Sequence, residues 1–209
     1  MRVFILSTGR CGSTSIVEAC KYITNFSSGH ETLAKELGQG RFDYADQHIE
    51  SDNRLSWHLG QLHAHFGDEA FYVHLIRDRE AVAQSFMKRY FQPSSVIDAF
   101  SEGIRMTPPQ NLSPADRLQL CYDYIDTVNA NIAHFISNKR NQQTIHLETI
   151  RTDFPIFWSS IQAEGSLEKA LEAFQQSHNA SSKRKLEFPR RLKLMVKREW
   201  QHLKAVFGK

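Results

Sequence analysis

Gly9, Arg10, Cys11, Gly12, Ser13, Thr14 and Ser15 follow one another directly, two glycines framing an arginine and a cysteine, then three hydroxyl residues. Residues of these types in this order suit the binding of a phosphate-like anion. Glycines let backbone amides turn toward one point, hydroxyls add donors, and a helix starting at Ser13 would favour negative charge at its N-terminus. A second set follows at Arg77 and Ser85, eight residues apart. On a helix that spacing is about two turns, so a guanidinium and a hydroxyl can share another phosphate. Taken alone, Arg77 reads as a strand-end cation paired with Asp78 and Ser85 as an exposed hydroxyl. Both sets together, each closing an apolar run, read as two anion sites.

The spacing excludes some chemistry. A Walker A loop has four residues between its glycines, then Lys-Ser/Thr; here two residues separate Gly9 from Gly12, and Ser13 stands where the lysine would be. A cysteine phosphatase loop wants an arginine six residues after its thiolate, and Val17 is there. His58, His63 and His65 have spacings of 5 and 2, which put them on different helix faces, so no metal site is expected. Cys11, Cys20 and Cys121 are too widely spaced for a disulfide framework or zinc knuckle.

The elements that must position these residues alternate. Val3-Phe4-Ile5-Leu6 and Ala70 to Ile76 read as buried strands, each followed at once by a helix. Ile16, Ala19, Cys20 and Ile23 give the first helix its apolar face; Val82, Phe86 and Tyr90 serve the later one. Weaker strands are expected at 45–49 and 144–147, and helices at 55–66, 155–161 and 167–176. Ser113-Pro114-Ala115-Asp116 is a helix start, with Ser as N-cap and Pro at the first position. Leu118, Cys121, Ile125, Val128, Ile132 and Ile136 continue it. A last helix would bury Leu192, Val196, Trp200, Leu203 and Phe207. The pattern predicts an α/β fold of three layers, a central parallel sheet of about 4–5 strands flanked by helices, with ligands at the strands' C-terminal ends.

At 209 residues and 41% hydrophobic composition the chain suits a single domain, 1–209. No apolar run approaches a membrane span, and a cytoplasmic location is expected. Net charge is +3, but ten Lys/Arg against two Glu in residues 183–209 make that segment +8 and leave about −5 for the rest. A basic tail on a mildly acidic body suggests an anionic ligand, nucleic acid or an acidic partner surface, or else a solvated helix face.

The two anion sets resemble those of the sulfotransferases that use 3′-phosphoadenosine 5′-phosphosulfate (PAPS). The family's 5′-phosphosulfate loop, commonly Pro-Lys/Arg-Ser-Gly-Thr-Thr, is similar to Gly9-Arg10-Cys11-Gly12-Ser13-Thr14. Its 3′-phosphate motif, an Arg at a strand end with Ser eight residues later, is similar to Arg77 through Ser85. The similarity spans 3–32 and 71–90, roughly a quarter of the chain. Departures are Cys11 for Ser, Ser13 for Thr, and Arg79 where Pro often stands.

The resemblance implies a P-loop NTPase-like sulfotransferase fold, PAPS as donor, 3′-phosphoadenosine 5′-phosphate (PAP) as product, and no metal requirement. Gly9, Cys11, Gly12, Ser13, Thr14 and Ser15 would form the 5′-phosphosulfate cradle, Arg10 would contact the transferring group, and Arg77 with Ser85 would take the 3′-phosphate. Lys183, Arg184 and Lys185 would bring late basic charge to the nucleotide. Gly29-His30-Glu31-Thr32 is similar to a Gly-Glu-Glu-Thr segment of the tyrosylprotein branch, which implies Glu31 as general base, with His30 the runner-up. Residues 92–112 would form an acceptor-side lid. The acceptor is left open among carbohydrates, peptides, lipids and small phenols or alcohols; nucleic acid is not expected as a partner. Two other readings stay open: a P-loop-like nucleotide or metabolite kinase, and a non-catalytic nucleotide-binding module.

Overall fold

A computed structural model describes residues 1–92, 94–108 and 111–180, together with 196 and 200. Five strands form one sheet: β1 (Arg2–Leu6), β2 (Ser27–His30), β3 (His48–Ser51), β4 (Phe71–Ile76) and β5 (Gln142–His146), in the order β2-β3-β1-β4-β5. Every pairing is parallel, as expected of strands separated by helical crossovers. β1 lies at the centre, and Val3, Phe4, Ile5 and Leu6 are buried. Burial on both faces explains its unbroken apolar run, and each such side chain contributes about 1.5–3 kcal/mol.

The helices are α1 (Ser13–Cys20), α2 (Leu59–Phe66), α3 (Arg79–Met87), α4 (Val96–Ala99), α5 (Pro114–Ser137), α6 (Ile150–Ser160) and α7 (Leu167–Ala180). α1 packs on α7 and against β2 and β3. On the other face Phe4 meets Phe66 of α2 and Tyr72, and Tyr72 meets Phe135 of α5 edge-on. The three-layer α/β expectation therefore holds, with five strands. α5 begins as its sequence predicts: Ser113 Oγ accepts from the Asp116 amide at 3.2 Å and donates to its carboxylate at 2.6 Å.

Boundaries shift in five places, the simplest being α7, which runs on from the expected 176 to Ala180. The strand expected at 45–49 is His48–Ser51, because Tyr44 turns inward to the core and the chain enters the sheet only after the left-handed Gln47. The helix expected from Leu55 is split into a 3₁₀ turn, Asn53–Trp57, and α2; the Asp52 carboxylate caps that turn through the Arg54 amide. The strand expected at 144–147 begins at Gln142, where Tyr72 pairs with it, and Leu147 already opens a 3₁₀ turn. The helix expected from Pro155 begins at Ile150, with Pro155 inside it. Buried Ile150 and Phe154 hold the extra turn, offsetting the hydrogen bond that proline forgoes. The expected last helix, the basic segment 183–209 and its Lys183, Arg184 and Lys185 lie outside the described residues, apart from 196 and 200. No described helix is long and apolar enough to cross a membrane.

Candidate functional site

The loop between β1 and α1 is a run of left-handed backbone: φ is +78° at Gly9, +62° at Arg10 and +89° at Gly12. A positive φ at arginine costs free energy and persists only where surrounding contacts enforce it. Those contacts are present. Tyr124 of α5 donates its hydroxyl to the Thr8 carbonyl at 2.8 Å, Ser56 donates to the Ser7 carbonyl at 3.1 Å, and the Gly9 amide donates to Ser7 Oγ. Asn53 packs so closely on Gly9 that a β-carbon there would lie 2.9 Å from its Nδ2.

α1 then starts with Gly12 as N-cap, no side-chain cap and no acidic residue in its first turn. Asp78, Ser95 and Ser113 do cap α3, α4 and α5. The α1 N-terminus thus carries neither a side-chain cap nor an acidic residue beside a curled glycine loop, which is an anion-binding geometry. Thr14 is exposed there, and Ser13 and Ser15 are half-buried.

Cys11 points the other way. Its thiol is 1% exposed, lies 3.0 Å from Thr8 Oγ1 and 3.3 Å from the Gly9 carbonyl, and burial pushes it above the ordinary thiol range. The side chain packs beneath the loop, so only the Cys11 backbone can face a ligand.

Arg10 connects the two sequence sets. Its Nε donates to Ser85 Oγ at 2.9 Å, and Arg77 Nη1 donates to the Arg10 carbonyl at 3.2 Å. The Arg10 guanidinium is held below the ordinary arginine value, first by burial and then by the positive charges of Arg89 and Arg77. Arg77 therefore does not spend itself on Asp78, whose carboxylate caps α3 through the Ala81 amide and whose own amide donates to Glu148.

The turn after β2 brings His30 and Glu31 to the same end of the sheet. His30 Nε2 lies 3.0 Å from Ser13 Oγ, at the first residue of α1. Glu31 has φ +55°, donates its amide to the Ser51 carbonyl, and pairs through its carboxylate with Arg54 at 2.8 Å. Buried Glu50 secures this turn, accepting from the Thr32 amide at 2.9 Å and the Thr32 hydroxyl at 2.5 Å, with His48 Nε2 at 3.0 Å. Burial alone would raise the Glu50 carboxyl; the hydrogen bonds from His48 and Thr32 outweigh it and carry Glu50 below the ordinary carboxylate value. Asp52, next on the chain, pairs with Arg41 at 2.6 Å out of water, and Arg41 also donates to Tyr44 at 2.7 Å.

Gly9 through Ser15, His30, Glu31, Arg77 and Ser85 thus gather at the C-terminal ends of β1, β2 and β4. Sequence reasoning missed two residues here, Arg89 and Arg54, and the part that Glu50 plays. Arg89 lies in the turn after α3, its amide bonded to the Phe86 carbonyl; Arg54 and the clamping role of Glu50 had no local signal. Among the described residues between 92 and 112 are α4 and a π-helical turn, Phe100–Ile104, with Ile97 and Phe100 buried and Met106 exposed. Among the described residues no cluster of His, Cys, Asp and Glu could hold a metal ion.

Solved structures share this architecture. A mouse sulfotransferase, SULT7A1 complexed with PAP, superposes with a TM-score of 0.58 at 13% identity, covering 83% of this chain and 63% of that one. The fold is that of the sulfotransferases. A sulfotransferase from Alicyclobacillus acidocaldarius superposes with a TM-score of 0.51 at 10% identity, covering 79% of this chain and 84% of the other. The chain spans less than two thirds of the mouse protein, and at these identities what is shared is the sulfotransferase fold itself. No family model and no curated protein matches the sequence.

Proposed function

We propose that this chain transfers a sulfuryl group from PAPS to an acceptor hydroxyl, or an amine, by in-line displacement. The observation that carries the reading is the contact between Arg10 and Ser85, which joins the glycine loop and the strand-end arginine site into one basic surface fit for a nucleotide with two separated phosphates. The mouse neighbour's complex with PAP supports the same ligand class. In the reaction the acceptor oxygen forms a bond to sulfur as the sulfur–oxygen bond to the nucleotide phosphate breaks. Loop amides, Ser13, Thr14 and Arg10 stabilise the charge that builds on the departing phosphate. The acceptor's proton passes to a base from the turn after β2. His30 is assigned that role first and Glu31 second, because His30 lies against Ser13 while one Glu31 oxygen is held by Arg54. Lys183, Arg184 and Lys185 remain proposed contacts to the nucleotide, and residues 92–112 the proposed wall of the acceptor site.

A magnesium-dependent kinase is the less favoured alternative, since such a site uses a free carboxylate near its loop. Asp52, directly after β3, has one oxygen on Arg41 and the other on the Arg54 amide. The test is incubation with labelled PAPS and extracts or acceptor panels. Transfer by the wild type and its loss in Arg10→Ala is expected. Stabilisation by ATP and Mg²⁺ with no response to PAP would overturn the proposal, and tight PAP binding with no turnover on any acceptor would favour a binding module.

A further inference from the structure

Ser27, the first residue of β2, is exposed, and its Oγ stands 2.8 Å from His48 Nδ1 on the neighbouring strand. Across the same ring, His48 Nε2 lies 3.0 Å from Glu50 Oε2. Strand register makes this row: Ser27 pairs with His48, and Glu50 follows two residues on, on the same face of the sheet. The Glu50 side chain is 0% exposed and that of His48 13%. Gly29 leaves the room, since a β-carbon there would lie 3.0 Å from Glu50 Oε2 and 3.3 Å from His48 Cε1. The Thr32 amide and hydroxyl fix the carboxylate, and Tyr44 stacks on the His48 ring. Hydrogen bonds from His48 and Thr32 hold Glu50 below the ordinary carboxylate value, so it is ionised at neutral pH. An ionised carboxylate only accepts, so in the neutral ring the proton sits on Nε2 and the Nδ1 lone pair faces Ser27. The Ser27 hydroxyl also lies 3.3 Å from the Gln47 carbonyl, a longer contact than the one to His48. Nucleophile, base and orienting carboxylate thus stand in series, the arrangement that activates a serine. β2 is an edge strand, paired with β3 alone. The Ser27 and Glu31 amides donate to Gln47 and Ser51 on the β3 side, so strand alternation turns the Ser28 amide outward to the open edge.

We propose that Ser27, His48 and Glu50 form a second catalytic site, one that hydrolyses small carboxylic esters through an acyl-Ser27 intermediate. It lies away from the nucleotide site: Ser27 and His30 are the two ends of β2, about 10 Å apart at strand rise. Ser27 Oγ forms a bond to the ester carbonyl carbon while its proton passes to His48 Nδ1. The Ser28 amide donates to the carbonyl oxygen as it takes up negative charge. Collapse breaks the bond from that carbon to the alkoxy oxygen, and the leaving alkoxide takes the proton from His48. Water then attacks the acyl group with His48 again as base, releasing the carboxylic acid and restoring the serine. Exposure of Ser27 admits a small acyl group directly from solvent.

The test is incubation of the full chain with an alkyl fluorophosphonate, read by intact mass and peptide mapping, and separately with p-nitrophenyl acetate. The fluorophosphonate should add once, at Ser27, with loss of fluoride, and the same chain unfolded in urea should not react. p-Nitrophenyl acetate should be turned over, and Ser27→Ala should abolish both the adduct and that turnover. His48→Gln, which still offers hydrogen-bonding groups to Ser27 and Glu50, should slow labelling by about 10²–10⁴-fold, with thermal melting showing that each variant is folded. A folded wild type that gains no adduct at Ser27 overturns the proposal without recourse to any variant. Equal labelling of the folded and urea-unfolded chains overturns it too, as does an unchanged labelling rate in folded His48→Gln, since Ser27 would then be accessible but not activated.

Discussion

Arg10 and Ser85 stand 75 residues apart in the chain, and a single 2.9 Å hydrogen bond from Arg10 Nε to Ser85 Oγ closes that distance. One lies on the loop after β1 and the other on the helix after β4, and these strands are hydrogen-bonded neighbours. The contact is a consequence of strand order: adjacent parallel strands deliver their C-terminal ends to one crevice. It also means that the arginine proposed to act at the 5′-phosphosulfate rests on the hydroxyl proposed for the 3′-phosphate.

That shared contact predicts coupling. Ser85→Ala and Arg10→Ala should each weaken PAP binding, and the double variant should lose less than the sum of the two. A double-mutant cycle by titration should give an interaction energy of about 0.5–3 kcal/mol. Strict additivity would show that the two residues act on separate parts of the ligand.

The two base candidates separate by substitution. With any accepted acceptor, His30→Asn should lower kcat by about 10²–10⁴-fold with PAP affinity little changed, and Glu31→Gln should have the smaller effect. The reverse order would return the role to Glu31.

Backbone geometry sets the tolerance of the glycines. Gly12 has φ +89°, and a β-carbon would come within 2.8 Å of Leu147, so Gly12→Ala should cost about 1–3 kcal/mol. Gly165, at φ +127°, would drive a methyl group into the Tyr22 carbonyl. A backbone atom cannot yield as a leucine tip can, so Gly165→Ala should lower the urea midpoint further than Gly12→Ala.

The buried Arg41–Asp52 pair behaves differently from the surface pairs. Its side chains are 7% and 0% exposed, so Arg41→Met strands a carboxylate out of water and should cost about 3–5 kcal/mol. Adding Asp52→Asn should recover part of that loss, because the amide oxygen can still accept from the Arg54 backbone while no charge is left unpaired.

Two buried groups give stability a pH dependence in separate windows. His74, bonded to Asn129 at 3.1 Å, is held below its ordinary value chiefly by burial, so the unfolded chain takes up its proton first as pH falls. Stability should therefore drop on acidification below about pH 6.5, and His74→Gln should flatten that step. Glu50, also depressed, stabilises above the ordinary carboxylate value, and its contribution is lost as pH falls through its lowered folded value. Urea unfolding across a pH series, with Glu50→Gln as control, checks both; a His74 step of opposite sign would refute the assignment.

The sequence by itself determined the elements whose signals are local. The apolar runs of β1 and β4, the Ser113-Pro114 start of α5, and the glycine spacing that excludes a Walker A loop all depend on neighbours within a few residues. The types and order of Gly9 to Ser15, Arg77 and Ser85 were equally legible, since loop and helix spacing fix what such residues can reach. Tertiary structure alone decided the rest. Cys11 sits among loop residues in sequence, yet left-handed backbone on either side turns its thiol inward. Glu50 reads as one polar position in a short strand; only pairing of β2 with β3 shows it holding the turn that carries His30 and Glu31. Arg54 meets Glu31, and Arg10 meets Ser85, across strands whose order no local pattern encodes. Side-chain period and spacing act over a turn or two, whereas contacts between distant charges depend on which strand ends the sheet brings together.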